Sequence, residues 1–143
     1  MTITIAQARS AIAAKIASII GFKEAKFPID FFGRNQATIA HKSFAVGISQ
    51  ALAMPSRQRI SVGIYIRNRI KIKFAYRLRP LDSYPTDYDL SFDALESVIN
   101  TVSGDYSGIR QGLVTKYDDS TYFIPDSLEW IIHDINLTVF QTI

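Results

Sequence analysis

The chain has 143 residues and a mass of 16.1 kDa, the size of one domain with a real core, and its 48% apolar and 20% charged composition excludes a disordered or low-complexity chain. It has no cysteine, which excludes disulfides, thiolate metal sites and cysteine nucleophiles, and its two histidines, His41 and His133, are far apart in sequence. Net charge is only +3, yet residues 1–80 hold 14 of the 16 Lys/Arg with two acids, a net +12, whereas residues 81–143 hold 11 acids against Arg110 and Lys116, a net −9.

The opening Met1-Thr2-Ile3-Thr4-Ile5 has no basic segment leading into an apolar one, and no stretch approaches the length of a membrane span. A soluble protein that stays in the compartment where it is made is expected. From Ile5 the residues Ile5, Ala8, Ile12, Ile16, Ile19 and Ile20 recur every three or four positions, which predicts an amphipathic helix over 4–20 stopped by Gly21. Residues 26–33 are aromatic but broken by Pro28 and suit an edge strand or a packed connector. A strand follows over 42–48, then a loop at 53–56.

Between Arg57 and Arg79 the even positions 60, 62, 64, 66, 70, 72, 74, 76 and 78 are apolar, and the odd ones include Arg57, Arg59, Arg67, Arg69, Lys71, Lys73, Arg77 and Arg79. One strand of that length would span roughly 75 Å, so two strands are predicted, 58–66 and 69–78, with a turn at 67–69. One face is apolar and the other basic.

Pro80 to Leu90 reads as a polar loop bearing Asp82, Asp87 and Asp89. Ser91 is the expected N-cap of a helix over 92–102 whose stripe is Phe92, Leu95, Val98, Ile99 and Val102, with Gly104 as its stop. After a weak segment at 107–115, strands are expected at 121–124 and 128–140, the second with a slip in its alternation at Asp134 that reads as a bulge. The sum is an α+β fold: a mostly antiparallel sheet of four to six strands with two helices packed on it, in one domain over 1–143.

His41 and His133 stand in no HxxxH, HxH or HExxH spacing, so structural or surface histidines are expected and no metal site. Asp118 and Asp119 are adjacent, and neighbours on an extended segment point to opposite faces, which predicts a solvated turn rather than a shared site. The seven glycines form no GxGxxG and no GxxxxGK[ST], so no nucleotide cradle, no cofactor and no enzymatic activity are expected. The basic odd face of 57–79 fits three roles. It is a solvated sheet face, a nucleic-acid surface on which Tyr65 is the one aromatic, or a surface that meets the acidic half of another copy. Head-to-tail contact would close a ring, and twofold pairing would satisfy the charges as well.

A helix, an aromatic connector and a strand with Ser43-Phe44-Ala45-Val46-Gly47 are followed by Arg57-Gln58-Arg59 leading to Gly63. Basic-apolar strands ending Tyr76-Arg77-Leu78-Arg79 come next, then an acidic loop, a helix and C-terminal strands. This order, with the blocks 41–47 and 57–63, resembles the tail terminator (tail completion) proteins of long-tailed bacteriophages, including the lambda-type fold. The resemblance implies a structural virion protein, assembled in the host cytoplasm and placed at the junction of tail and neck. It implies a ring-forming subunit, six copies of which end the tail tube, with the tail tube protein on one side and a head-completion or connector protein on the other. Genomic DNA would pass through the lumen without sequence-specific binding, and no membrane would be involved. On this reading Arg57, Arg59, Arg67, Arg69, Lys71, Lys73 and Arg77 form the basic side of the subunit contacts, and Asp82, Asp87, Asp89, Asp118 and Asp119 the acidic side. Another head–tail joining protein or a tail-tube protein is the near alternative. A DNA-binding module using the basic face is the alternative from another class.

Overall fold

Thr4 opens the first helix with a capping box: its hydroxyl accepts from the Gln7 N–H, and the Gln7 side chain accepts from the Thr4 N–H. In the computed structural model, which describes residues 4–25, 40–53, 65–79, 83–105, 114–125 and 129–142, this helix α1 spans Ile5–Ala17. It ends one turn before Gly21, which takes a left-handed φ of +87°. Thirteen residues make a marginal helix in isolation, so its burial of Ala8, Ile12 and Ile16 supplies most of its stability.

The strands are β1 (Lys23–Glu24), β2 (Ser43–Ala53), β3 (Tyr65–Arg77), β4 (Gly104–Asp105), β5 (Val114–Phe123) and β6 (Trp130–Thr142). They form one sheet in the order β1-β2-β3-β6-β5-β4, antiparallel at every pairing except the parallel β1–β2. With helix α2 (Tyr84–Val102) this is the α+β class that the sequence predicts. Residues 26–33 and most of the expected strand 58–66 lie outside the described residues.

No turn interrupts 67–69. β3 pairs residue by residue with β6 from Tyr65↔Thr142 to Arg77↔Trp130, and Asn68, the polar break in the even series, lies buried on the apolar face. Helix α2 also differs from expectation, starting at Tyr84 after Ser83 with a proline in its first turn, where the missing N–H costs no bond. Ser91 is therefore inside the helix, and its hydroxyl donates to the Tyr88 carbonyl. The slip expected in β6 is absent there. The bulges lie instead in β5, between Tyr117 and Asp119, and in β2, between Ile48 and Gln50.

Both helices pack on the same face of the sheet. Phe44 and Val46 of β2, Ile70, Ile72 and Phe74 of β3, and Ile135, Leu137 and Val139 of β6 meet Ile12 and Ile16 of α1 and Leu95, Val98 and Val102 of α2. Each such side chain contributes about 1.5–3 kcal/mol when fully removed from water. The opposite face carries the odd residues of β3 and the even residues of β6. A small apolar cluster at one end, Ala45, Ala75 and Ile132 with Trp130 and Ala25 against it, is followed by charged residues along the rest.

Candidate functional site

Residues of one antiparallel register share a face, so the surface opposite the helices is read directly from the pairing. Arg67, Arg69, Lys71 and Lys73 of β3 lie beside Phe140, Thr138, Asn136 and Asp134 of β6. Lys116, Asp119 and Thr121 of β5 lie beyond Thr138, Asn136 and Asp134 in turn. Arg67, Arg69, Lys116, Asp118 and Asp119 line one shallow basin of about 610 Å³, together with Ser49 at the β2 bulge. Lys71 Nζ stands 3.2 Å from Asp134 Oδ2. Thr138 donates to Asp118 at 2.5 Å, and the Asn136 amide donates to Asp119 at 2.6 Å.

One expectation is corrected here. Asp118 and Asp119 do share a site, because the β5 bulge at Asp118 breaks the period-2 rule and leaves both carboxylates over the β6 polar row. Of the two sets, Arg67, Arg69, Lys71 and Lys73 stand on one face with Asp118 and Asp119, since β6 and β5, from the acidic half of the sequence, return beside β3. Part of the charge split is thereby neutralised within the chain.

The remaining candidates go elsewhere. Asp87 is no loop acid facing a neighbour: it lies in the first turn of α2, almost fully buried, and accepts three hydrogen bonds from Arg79. The Arg79 backbone N–H reaches Oδ2 at 2.8 Å, its Nε reaches Oδ2 at 3.0 Å and its Nη2 reaches Oδ1 at 2.9 Å. The guanidinium hydrogen bond holds the Asp87 carboxyl below the usual carboxylate range. Asp89 is exposed on the same helix, and Arg57, Arg59 and Asp82 lie outside the described residues. Arg77 ends β3, exposed, and its N–H donates to His41 Nδ1 at 3.1 Å. His41, Tyr76, Arg77, Arg79, Asp87 and Leu90 border a second depression of about 380 Å³, and burial lowers the His41 pKa.

Because the folded-state pKa of Asp87 is depressed, its contribution to stability is present above the usual carboxylate range and is lost as pH falls through the folded value. Arg79→Ala removes the largest cause of that depression, the guanidinium hydrogen bonds, and keeps only the backbone N–H. The acid unfolding midpoint, followed by circular dichroism, is expected to move to higher pH in Arg79→Ala; an unchanged midpoint would show the pair to be energetically idle.

His133 is buried on the helix side of β6, stacked on Phe74 with centroids 5.0 Å apart and met edge-on by Phe92 at 4.8 Å. Its Nε2 lies 3.0 Å from Ser91 Oγ. The Ser91 proton is committed to the Tyr88 carbonyl, so the hydrogen-bond order assigns the imidazole proton to Nε2 and leaves Nδ1 a bare, buried acceptor. Desolvation pushes this histidine down to about 4, and it is a neutral core residue at pH 7. The two histidines thus take separate partners.

Sequence reasoning misses Lys116, Asn136 and Thr138 as members of the basin, and Asp134 as the partner of Lys71 beside it. Asp134 did leave a signal, the polar break in the β6 alternation, which marks the open face and no bulge. Among the described residues no group of three His, Asp or Glu is placed to hold a metal ion. No helix among the described residues is long and apolar enough to cross a membrane. Comparison with protein-family models and with curated proteins finds no match.

Proposed function

We propose that the chain is a structural assembly subunit of the phage tail-terminator type, working as a homohexameric ring that ends the tail tube and offers a new surface to the neck. The observation that carries this reading is the sheet with one face sealed by both helices and, on the other, rows of cations and anions that no described helix covers. A surface of that composition suits recognition of protein surfaces by shape and charge. The mechanism is steric: a bound terminator covers the growing end of the tube and replaces it with a face that only the neck proteins recognise. A nucleic-acid surface fits less well, because a phosphate drawn to Arg69 or Lys116 meets Asp118 and Asp119 in the same basin.

Negative-stain microscopy of the purified full chain is expected to show discrete rings. Long filaments would favour the tail-tube alternative, and a field of single subunits would contradict the assembly reading.

A further inference from the structure

We propose that the acidic outer ridge of α2 in one copy seats on the β3 cation row of the next, joining copies head to tail. This rests on the ring reading and names the contact that would build it. α2 holds Asp87, Asp89, Asp93 and Glu96 and no basic residue. Asp87 is buried against Arg79, whereas Asp89, Asp93 and Glu96 are exposed, at the i, i+4 and i+7 positions that share one helix face. Leu95, Val98 and Val102 turn the other side of α2 to the sheet, so the ridge looks outward on the helix side. Among the described residues none of the three exposed acids takes an ion pair.

The cation row stands on the far side of the same subunit. Arg67 and Arg69 are exposed on the sheet face opposite the helices, with Lys71 half-buried next in line. The β2 residues in register with Arg69, Lys71 and Lys73 are Gln50, Gly47 and Ala45, none of them charged. Asp118 and Asp119 lie two strands away on β5, about 9.5 Å at the usual strand spacing. A helix laid over β2 and β3 therefore meets positive charge and keeps its acids clear of the β5 carboxylates. The spacings also match: Asp89 to Asp93 is about 6 Å along a helix axis, and Arg67 to Arg69 about 6.8 Å along a strand. Sheet and helix layers hold ridge and row apart within one chain, so the two meet only between copies. Surfaces of opposite sign on opposite sides make a heterologous contact, which closes into a ring or runs on as a filament. Pairing α2 with α2 would instead set acid on acid.

The test uses the full chain in three forms: Asp89→Lys with Asp93→Lys, which reverses the ridge; Arg67→Glu with Arg69→Glu, which reverses the row; and all four substitutions together. Sedimentation at low salt is expected to give a multi-chain species for the wild type. Each double variant alone, its fold checked by circular dichroism, should weaken self-association by about tenfold or more. The four-substitution chain should associate again by itself, and so should an equimolar mixture of the two double variants, since each then offers the other an opposite charge. A ridge reversal that associates as the wild type does, or a four-substitution chain that fails to recover, would overturn this contact, and a six-chain wild type would then leave the ring reading standing. Filaments broken and restored by the same swaps would support the contact and overturn the ring. A monomeric wild type would overturn both.

Discussion

Replacing Phe74 by alanine is expected to lower the unfolding free energy by about 3–5 kcal/mol, the largest loss of any single substitution considered for this chain. Phe74 is fully buried in β3, the strand that β2 and β6 flank. Its ring meets Phe22 edge-on at 5.4 Å and stacks on His133 at 5.0 Å. Truncation removes the transfer free energy of the ring and leaves a cavity between sheet and helices that the surrounding side chains close only in part. Urea unfolding checks it: the midpoint should fall with the slope unchanged. Phe74→Leu, which keeps most of the volume, should lose clearly less. A loss below about 1 kcal/mol in Phe74→Ala would place the core elsewhere.

The second large effect is a loss of stability in mild acid through His133. An unfolded histidine binds its proton near pH 6.5, whereas the folded one refuses it until about 4. The unfolded chain therefore binds more protons throughout that window, and stability falls as pH falls. The contribution is fully present above 6.5 and is lost progressively toward 4, by then up to about 3 kcal/mol. The structural cause is specific. Protonation at Nδ1 would place a charge among Phe74, Phe92 and Tyr122, on an atom with no acceptor among the described residues. His133→Leu should flatten the dependence of urea midpoints on pH between 6.5 and 4.5, and a variant with the wild-type slope would assign the acid sensitivity to other groups.

Much of the architecture is legible in the sequence, and each departure has a physical reason. The isoleucine spacing of 5–20 marks α1, and the alternation of 66–78 separates the core face from the charged face. The length of the alternation calls for a break and Asn68 interrupts it, so 67–69 reads as a turn, whereas the strand, flanked on both sides, runs on and buries that one polar side chain. The start of α2 is hidden because Pro85, Asp87 and Asp89 have loop composition, although proline and acids suit the first turns of a helix. The Asp87–Arg79 pair is hidden for the same reason. The basin was the least legible feature: period-2 reasoning separates Asp118 from Asp119, and a bulge at that point reunites them.

The charge split carries the broader lesson. Counted along the chain, +12 and −9 predict a basic lobe and an acidic lobe. Topology brings the C-terminal strands beside β3, so the two signs stand as neighbouring rows on one sheet face. The acids that stay apart are Asp89, Asp93 and Glu96 on the outer side of α2, and they supply the second surface that head-to-tail self-recognition needs.

That self-recognition is the central claim, and the absolute mass of the purified chain, measured by light scattering over a range of concentrations, tests it most directly. The account predicts a defined multiple of 16.1 kDa that dissociates on dilution or at raised salt. A mass of 16.1 kDa at every concentration, even at low salt, would contradict it.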